Sequence, residues 1–229
     1  MKAILLAAGF GTRLRPLTDT IPKCLVSIKG KPLLEIWLEK LSNVGIDSFL
    51  INTHYLSNQV FNFINKSTFK NKCLLINEEK LLGTAGTLLS NFNFIGNDEC
   101  LLIHSDNYCL EDLTQFLIAH KKRPRNCLIT MMTFQTDTPK SCGIVEVNDQ
   151  NILVGFHEKV DNPPGNLANC AIYILSPEIL KDILINHSQA VDFSKDIIPN
   201  YLGQIYTYQT FYKFFDIGTP ENYLLANNE

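Results

Sequence analysis

No apolar run in this chain of 229 residues approaches the ~18 residues that cross a bilayer as a helix, so no membrane-spanning helix is expected. No two of the seven cysteines (Cys24, Cys73, Cys100, Cys109, Cys127, Cys142, Cys170) stand as Cys-x-x-Cys. An odd, scattered set argues against a zinc site or a disulfide framework, and for reduced thiols in a cytoplasmic protein. Neither sign of charge dominates. With 20 Lys and Arg against 23 Asp and Glu, the net charge is −3, and a nucleic-acid footprint is not a property of the chain. The one dense basic cluster, His120-Lys121-Lys122-Arg123-Pro124-Arg125, reads as the end of a helix. Internal repeats, low-complexity tracts and linkers are missing too. The apolar start, Ala3 to Ala8, is a short core for a signal peptide and runs into glycines instead of a cleavage site.

Those glycines begin what is present. Lys2–Ala8 reads as a buried strand. It breaks at Gly9-Phe10-Gly11-Thr12-Arg13-Leu14-Arg15-Pro16-Leu17-Thr18 and reaches Pro22-Lys23. A buried strand followed at once by a glycine-rich loop brings backbone N–H groups up to phosphate. Arg13, Arg15 and Lys23 add fixed positive charge. The dinucleotide fingerprint fails here, because Leu14 stands at its third glycine. The P-loop also fails, because Gly30-Lys31 is followed by Pro32. A Rossmann oxidoreductase would further want an acidic residue closing the second strand, where the chain has Asn52-Thr53-His54.

Strands at Lys2–Ala8, Asp47–Thr53, Cys73–Ile76, Cys100–His104 and Cys127–Phe134 alternate with helical patterns. This predicts an α/β fold with a doubly wound, mostly parallel, Rossmann-like sheet. The rhythm then changes. Cys142–Val147 and Ile152–Phe156 read as a hairpin, Asn169–Ile174 and Gln204–Gln209 as further strands, and Ser176-Pro177-Glu178 as a helix start. Gly83 and Gly86 stand just before an apolar helical run and suggest amides pointing at a ligand. Two strands end in aspartates, Asp106 and Asp216. A carboxylate pair of that kind suits Mg²⁺, which takes one or two protein carboxylates and fills its shell with water and phosphate oxygens.

The string Gly-x-Gly-Thr-Arg-Leu-Arg-Pro-Leu-Thr followed by Pro-Lys closely resembles the signature of sugar-1-phosphate nucleotidyltransferases. Glu78 with Leu82-Gly83-Thr84-Ala85-Gly86, and Asp216-Ile217-Gly218-Thr219-Pro220-Glu221-Asn222-Tyr223, extend the resemblance over nearly the whole length. It implies one nucleotidyltransferase domain over residues 1–229, with a nucleotide-binding half at 1–134 and a β-rich, sugar-phosphate-binding half at 135–229. Ala8, Gly9, Gly11, Thr12, Arg13, Glu78, Gly83, Thr84 and Gly86 would hold the nucleotide. Asn107, Gly143, Glu158, Lys159 and Asn169 would hold the sugar phosphate. Arg13, Lys23, Asp106 and Asp216 would be catalytic, with Asp106 and Asp216 on Mg²⁺.

The implied reaction moves a nucleoside monophosphate from a nucleoside triphosphate to a sugar 1-phosphate and releases pyrophosphate. GTP with mannose 1-phosphate or heptose 1-phosphate is the first choice. UTP- or dTTP-dependent transfer to hexosamine, muramic acid or glucose phosphates is the alternative, as is a non-catalytic subunit that binds nucleotide-sugar. No nucleic-acid or membrane partner is expected, and a homo-oligomer is left open. The chain departs from the family pattern at Ser105, Cys142, Val160, Cys170-Ala171 and Phe214. Those at Cys142, Val160 and Cys170-Ala171 bear on which sugar is bound, whereas Ser105 leaves the Asp106 carboxylate in place.

Overall fold

The computed structural model describes residues 1–229. Its strands and helices follow in the order β1 (Lys2–Leu6), β2 (Ser27–Ile28), β3 (Lys31–Pro32), α1 (Leu33–Asn43), β4 (Phe49–Thr53), α2 (Ser57–Lys66) and β5 (Cys73–Asn77). Next come α3 (Gly83–Ser90), α4 (Phe92–Ile95), β6 (Cys100–His104), β7 (Asn107–Cys109), α5 (Leu113–Lys122) and β8 (Ile129–Gln135). The chain ends with β9 (Gly143–Val147), β10 (Leu153–Glu158), β11 (Leu167–Leu175), α6 (Pro177–Asn186), β12 (Ile205–Gln209), β13 (Phe214–Asp216) and α7 (Pro220–Asn228). No helix is long and apolar enough to cross a membrane. All seven cysteines are free thiols.

Two compact units emerge. The first gathers Met1–Leu81, Ile103–Leu113 and Tyr212–Glu229. Its sheet is parallel where expected. β1 pairs with β4 from Ala3 opposite Phe49, and β4 pairs with β5 from Phe49 opposite Cys73. Every residue of β4 is buried, which is why it reads as a continuous apolar run and not an alternation. On α1, Leu34, Trp37, Leu38 and Leu41 recur at helical spacing and are all buried. Gly45 follows with φ +80°, the left-handed value that ends a helix at little cost to glycine.

Two short ribbons complete this unit. β2 pairs with β3, and β7 pairs antiparallel with β13, setting Asp216 opposite Asn107. Neither β7 nor the β2–β3 pair is foreseen in the sequence. Behind them lies a cluster of Leu14, Val26, Ile28, Leu33, Tyr108, Ile217 and Ala226. It draws on all three chain segments of the unit. Tyr108 and Phe215 stack across the β7–β13 pair at 6.3 Å.

The second unit holds Leu82–Leu102 and Thr114–Phe211. The hairpin is present, with β9 and β10 antiparallel. The fifth strand of the alternating series departs from expectation. β8 is not one more strand laid parallel, for it pairs antiparallel with β11 and parallel with β12. The basic cluster caps a helix as read. Arg123 donates from Nε to the Cys127 carbonyl and from Nη1 to the His120 carbonyl. Ser176 caps α6 by accepting from the Ile179 amide.

Candidate active site

Within the first unit, the end of β1 feeds the glycine loop. Gly11 has φ +65°, and a Cβ there would stand 2.9 Å from Thr18 Cγ2, so the turn requires glycine. Thr18 fixes it by donating from Oγ1 to the Gly11 carbonyl at 2.7 Å. Gly9 is different. A Cβ there would meet nothing within 4 Å, so the chain's own packing does not demand its smallness. A short turn at Thr12–Leu14 buries Leu14 and leaves the Arg13 side chain 64% exposed.

Four charged side chains then converge. Lys23 sits in the turn after Pro22 with its side chain only 8% exposed. Its Nζ lies 2.6 Å from Asp106 Oδ2 and 3.4 Å from Asp216 Oδ1. Arg13 Nη2 lies 3.4 Å from Asp216 Oδ2. The β7–β13 register makes this meeting possible, because Asp106 directly precedes β7 and Asp216 closes β13. Around them the backbone is pinned. Trp37 donates to the Asn107 carbonyl at 2.9 Å, and Asn222 donates to the Asp216 carbonyl at 2.9 Å. Arg15 takes no part, being paired with Asp19 at 3.1 Å.

The charges are interdependent. Burial works against the Lys23 ammonium, yet the Asp106 and Asp216 carboxylates outweigh it and hold its pKa above the ordinary lysine value. Burial likewise opposes the Asp106 carboxylate, but Lys23, His104 and hydrogen bonds leave its pKa below the usual range. Neighbouring Cys24 is pushed up to about 12 by burial and by Asp106, so it stays a thiol and no nucleophile.

Glu78 lies in the same unit, at the end of β5, and is 5% exposed. Its Oε1 accepts from Asn52 Nδ2 at 2.9 Å, and its backbone N donates to the Thr53 carbonyl. Asn107 is buried on β7.

In the second unit, Gly83, Thr84 and Gly86 lie inside the first turn of α3, not before the helix as expected. The Ala85 amide donates to the Val191 carbonyl at 2.9 Å, the Gly86 amide leans on the same carbonyl at 3.5 Å, and Thr84 Oγ1 accepts from the Phe193 amide. These groups serve the fold. Gly83 is required because a Cβ would stand 2.4 Å from the Val191 carbonyl oxygen, on top of a φ of +77°.

Three strands of this unit carry Gly143, Glu158 and Asn169, three of the five expected sugar-phosphate residues, side by side. Gly143 on β9 is opposite Glu158 on β10. On β11, Asn169 lies one step along the antiparallel register from Ala168, which is opposite Ile144. A Cβ on Gly143 would stand 2.6 Å from Glu158 Oε2, so the glycine makes room for the carboxylate. Lys159, at φ +51°, approaches Glu158 Oε1 at 3.4 Å. Asn169 is occupied on both sides, its Oδ1 by the Ala171 amide at 2.9 Å and its Nδ2 by the Tyr173 hydroxyl at 2.6 Å. Tyr173 and Asn52 are the residues that motif reading misses. Their signal is faint, a polar group standing within an otherwise apolar strand.

Asp106 and Asp216 fit a hard divalent cation. They are oxygen donors brought together from paired strands, and both already reach one cation, the Lys23 ammonium. No group of three His, Cys, Asp or Glu side chains that could hold a metal forms in the chain, so such an ion would complete its shell with water and substrate oxygens.

The family model described as nucleotidyl transferase matches residues 2–229. The mannose-1-phosphate guanylyltransferase of Mycobacterium tuberculosis is 28% identical over 97% of this chain and 62% of its own length. The glucose-1-phosphate adenylyltransferase of Desulfitobacterium hafniense is 30% identical over 99% of this chain and 63% of its own. Thus the chain spans 62–63% of the length of these curated relatives. Among solved structures, HddC from Yersinia pseudotuberculosis has a TM-score of 0.82 at 26% identity, covering 99% of this chain and 98% of that one. HddC has also been solved complexed with GMP-PN.

Proposed function

The chain belongs to the nucleotidyl transferase family, and from that we propose that it transfers a nucleoside monophosphate from a nucleoside triphosphate to a sugar 1-phosphate. The observation that carries this reading is the convergence of Arg13, Lys23, Asp106 and Asp216, distant in sequence, within contact of one another. A sugar phosphate is already an anion near neutral pH. No general base or covalent intermediate is therefore needed, and catalysis rests on alignment and charge neutralisation. An oxygen of the sugar phosphate attacks the α-phosphorus, the bond to the β-phosphate oxygen breaks, and pyrophosphate leaves. Arg13, largely exposed and within 3.4 Å of Asp216, meets the β- and γ-phosphates of the leaving group. Lys23 meets the α-phosphate and the incoming phosphate. Mg²⁺ on Asp106 and Asp216 would supply positive charge to the phosphate oxygens when bound.

For the base, GTP is the preferred donor. A carboxylate can only accept hydrogen bonds, so Glu78 suits a base edge that donates from adjacent positions. Guanine does so through N1–H and its 2-amino group, whereas uracil and thymine present one N–H between two carbonyls. The names of the relatives span guanylyl, adenylyl and uridylyl transfer, while the GMP-PN complex of HddC supports guanine. Mannose 1-phosphate or heptose 1-phosphate is the preferred acceptor, held by Gly143, Glu158, Lys159 and Asn169.

The test is pyrophosphate release, measured with GTP, UTP, dTTP and ATP against a panel of sugar 1-phosphates, with Mg²⁺. Turnover with one pair is expected, and its loss in Asp216→Ala with the fold intact. Binding of a nucleotide-sugar without turnover on any pair would overturn the enzymatic reading.

A further inference from the structure

We propose that Asn52 and His54, at and just beyond the end of β4, are positioning residues that lock the phosphate loop and Glu78 into one fixed relation, and so set base discrimination. The inference rests on the reading of Glu78 as the residue that meets the nucleobase.

Each of the two residues touches both parts. Asn52, 3% exposed, accepts from the Ala7 amide through Oδ1 at 2.8 Å and donates to Glu78 Oε1 through Nδ2 at 2.9 Å. Ala7 is the residue through which β1 enters the glycine loop. His54 Nδ1 lies 2.7 Å from the Glu78 carbonyl, which can only accept, so Nδ1 carries the proton. The same ring meets Phe10 edge-on at 5.4 Å, and Phe10 is the tip of the glycine loop, also packed on Tyr55 at 5.7 Å. Residues 52 and 54 are two apart on an extended chain, so they share a face. Thr53 serves the opposite one, giving its hydroxyl to the Ile76 carbonyl.

A purely structural explanation asks too little of Asn52. Satisfying the Ala7 amide needs only an acceptor, which Asp would provide. Serving an N–H and a carboxylate from one planar group needs a donor and an acceptor together, which is what a primary amide offers. The amide thus transmits the position of Ala7 to Glu78 Oε1, and His54 does the same for Phe10 and the Glu78 backbone. A base read by Glu78 and a triphosphate read by the loop belong to one molecule, so an error in this spacing falls on the nucleotide and spares the sugar phosphate.

The experiment compares kcat/KM for GTP and for ITP, which lacks the 2-amino group. Asn52→Asp keeps the acceptor for Ala7 but turns a second carboxylate on Glu78. The GTP-to-ITP ratio is expected to fall about tenfold, in line with coupling between contacting residues, while KM for the sugar 1-phosphate stays within about twofold of wild type. His54→Ala should lower the ratio likewise, and His54→Asn, which retains a nearby N–H, should restore it. Thermal midpoints verify folding, and if Asn52→Asp does not fold the His54 pair decides. An unchanged ratio in these variants, with Glu78→Gln altering it, would overturn the positioning role. An unchanged ratio in Glu78→Gln itself would instead overturn the base reading. Failure of the wild type to use GTP would remove the guanine assignment before any variant is compared.

Discussion

Gly218 shows how tightly the charged site is drawn at the scale of one residue. A Cβ there would stand 2.7 Å from Arg13 Nη2 and 2.9 Å from Asp216 Oδ1. The Arg13 tip is free to swing away, so Gly218→Ala should leave the thermal midpoint nearly unchanged. It should lower kcat for pyrophosphate release by about tenfold, because the cation is displaced from the acid pair. Lys23→Met is expected to cost about 10³-fold in kcat, by analogy with phosphoryl-transfer cations, with the fold monitored by circular dichroism. Ala171 offers the opposite case. It holds a φ of +55° beside the register shift between Asn169 and Tyr173. A residue with a Cβ pays roughly 1 kcal/mol for that conformation, so Ala171→Gly should raise stability by about that amount in urea titration. Arg13, Lys23, Asp106 and Asp216 are legible in the sequence because each lies in a string with its own spacing. Asn52 is not, because a lone amide in the run Phe-Leu-Ile-Asn-Thr carries no pattern until its two partners are located in space.

Elements were legible in proportion to their length. The five-residue strands β1, β4 and β6 and the helix α1 announce themselves by buried runs or helical spacing. β7 has three residues, and Asn107-Tyr108-Cys109 gives no alternation to read. It exists because β13 pairs with it and because Tyr108 and Phe215 stack across the pair. β8 is legible as a strand but its antiparallel pairing with β11 is not, since an apolar run does not say in which direction its neighbours lie. Between α5 and β8 stands a buried histidine with a testable sign. His120 Nδ1 meets Thr130 Oγ1 at 2.7 Å and Nε2 meets Glu99 Oε1 at 3.1 Å. Burial, with Arg123 nearby, lowers its pKa to about 4. The unfolded chain therefore takes up the proton first. Stability from the neutral ring is full above the ordinary histidine pKa and declines as pH falls from there towards about 4. Urea unfolding at pH 7 and pH 5 should show wild type losing about 1–2 kcal/mol more than His120→Gln over that interval.

At the scale of the whole molecule, the first unit is assembled from three separate lengths of chain, Met1–Leu81, Ile103–Leu113 and Tyr212–Glu229. The alternation of strand and helix is legible in the sequence, and residues 106 and 216 are linked there by the family resemblance of their two strings. The packing that residues 212–229 also supply has no such signature. Ile217 and Ala226 are fully buried in the cluster with Leu14 and Tyr108. Removing residues 212–229 should therefore do more than delete Asp216. The truncated chain is expected to lose its cooperative urea transition, whereas Asp216→Ala keeps it. The β7–β13 pairing also has a meaning for the chain as it is made. Lys23 and Asp216 are 193 positions apart. At roughly 5–20 residues per second, the ribosome has the lysine in hand for about 10–40 s before the second acid exists. A nascent chain can therefore gather its glycine loop early, but has no means of completing the four-charge cluster until residue 216 has been made.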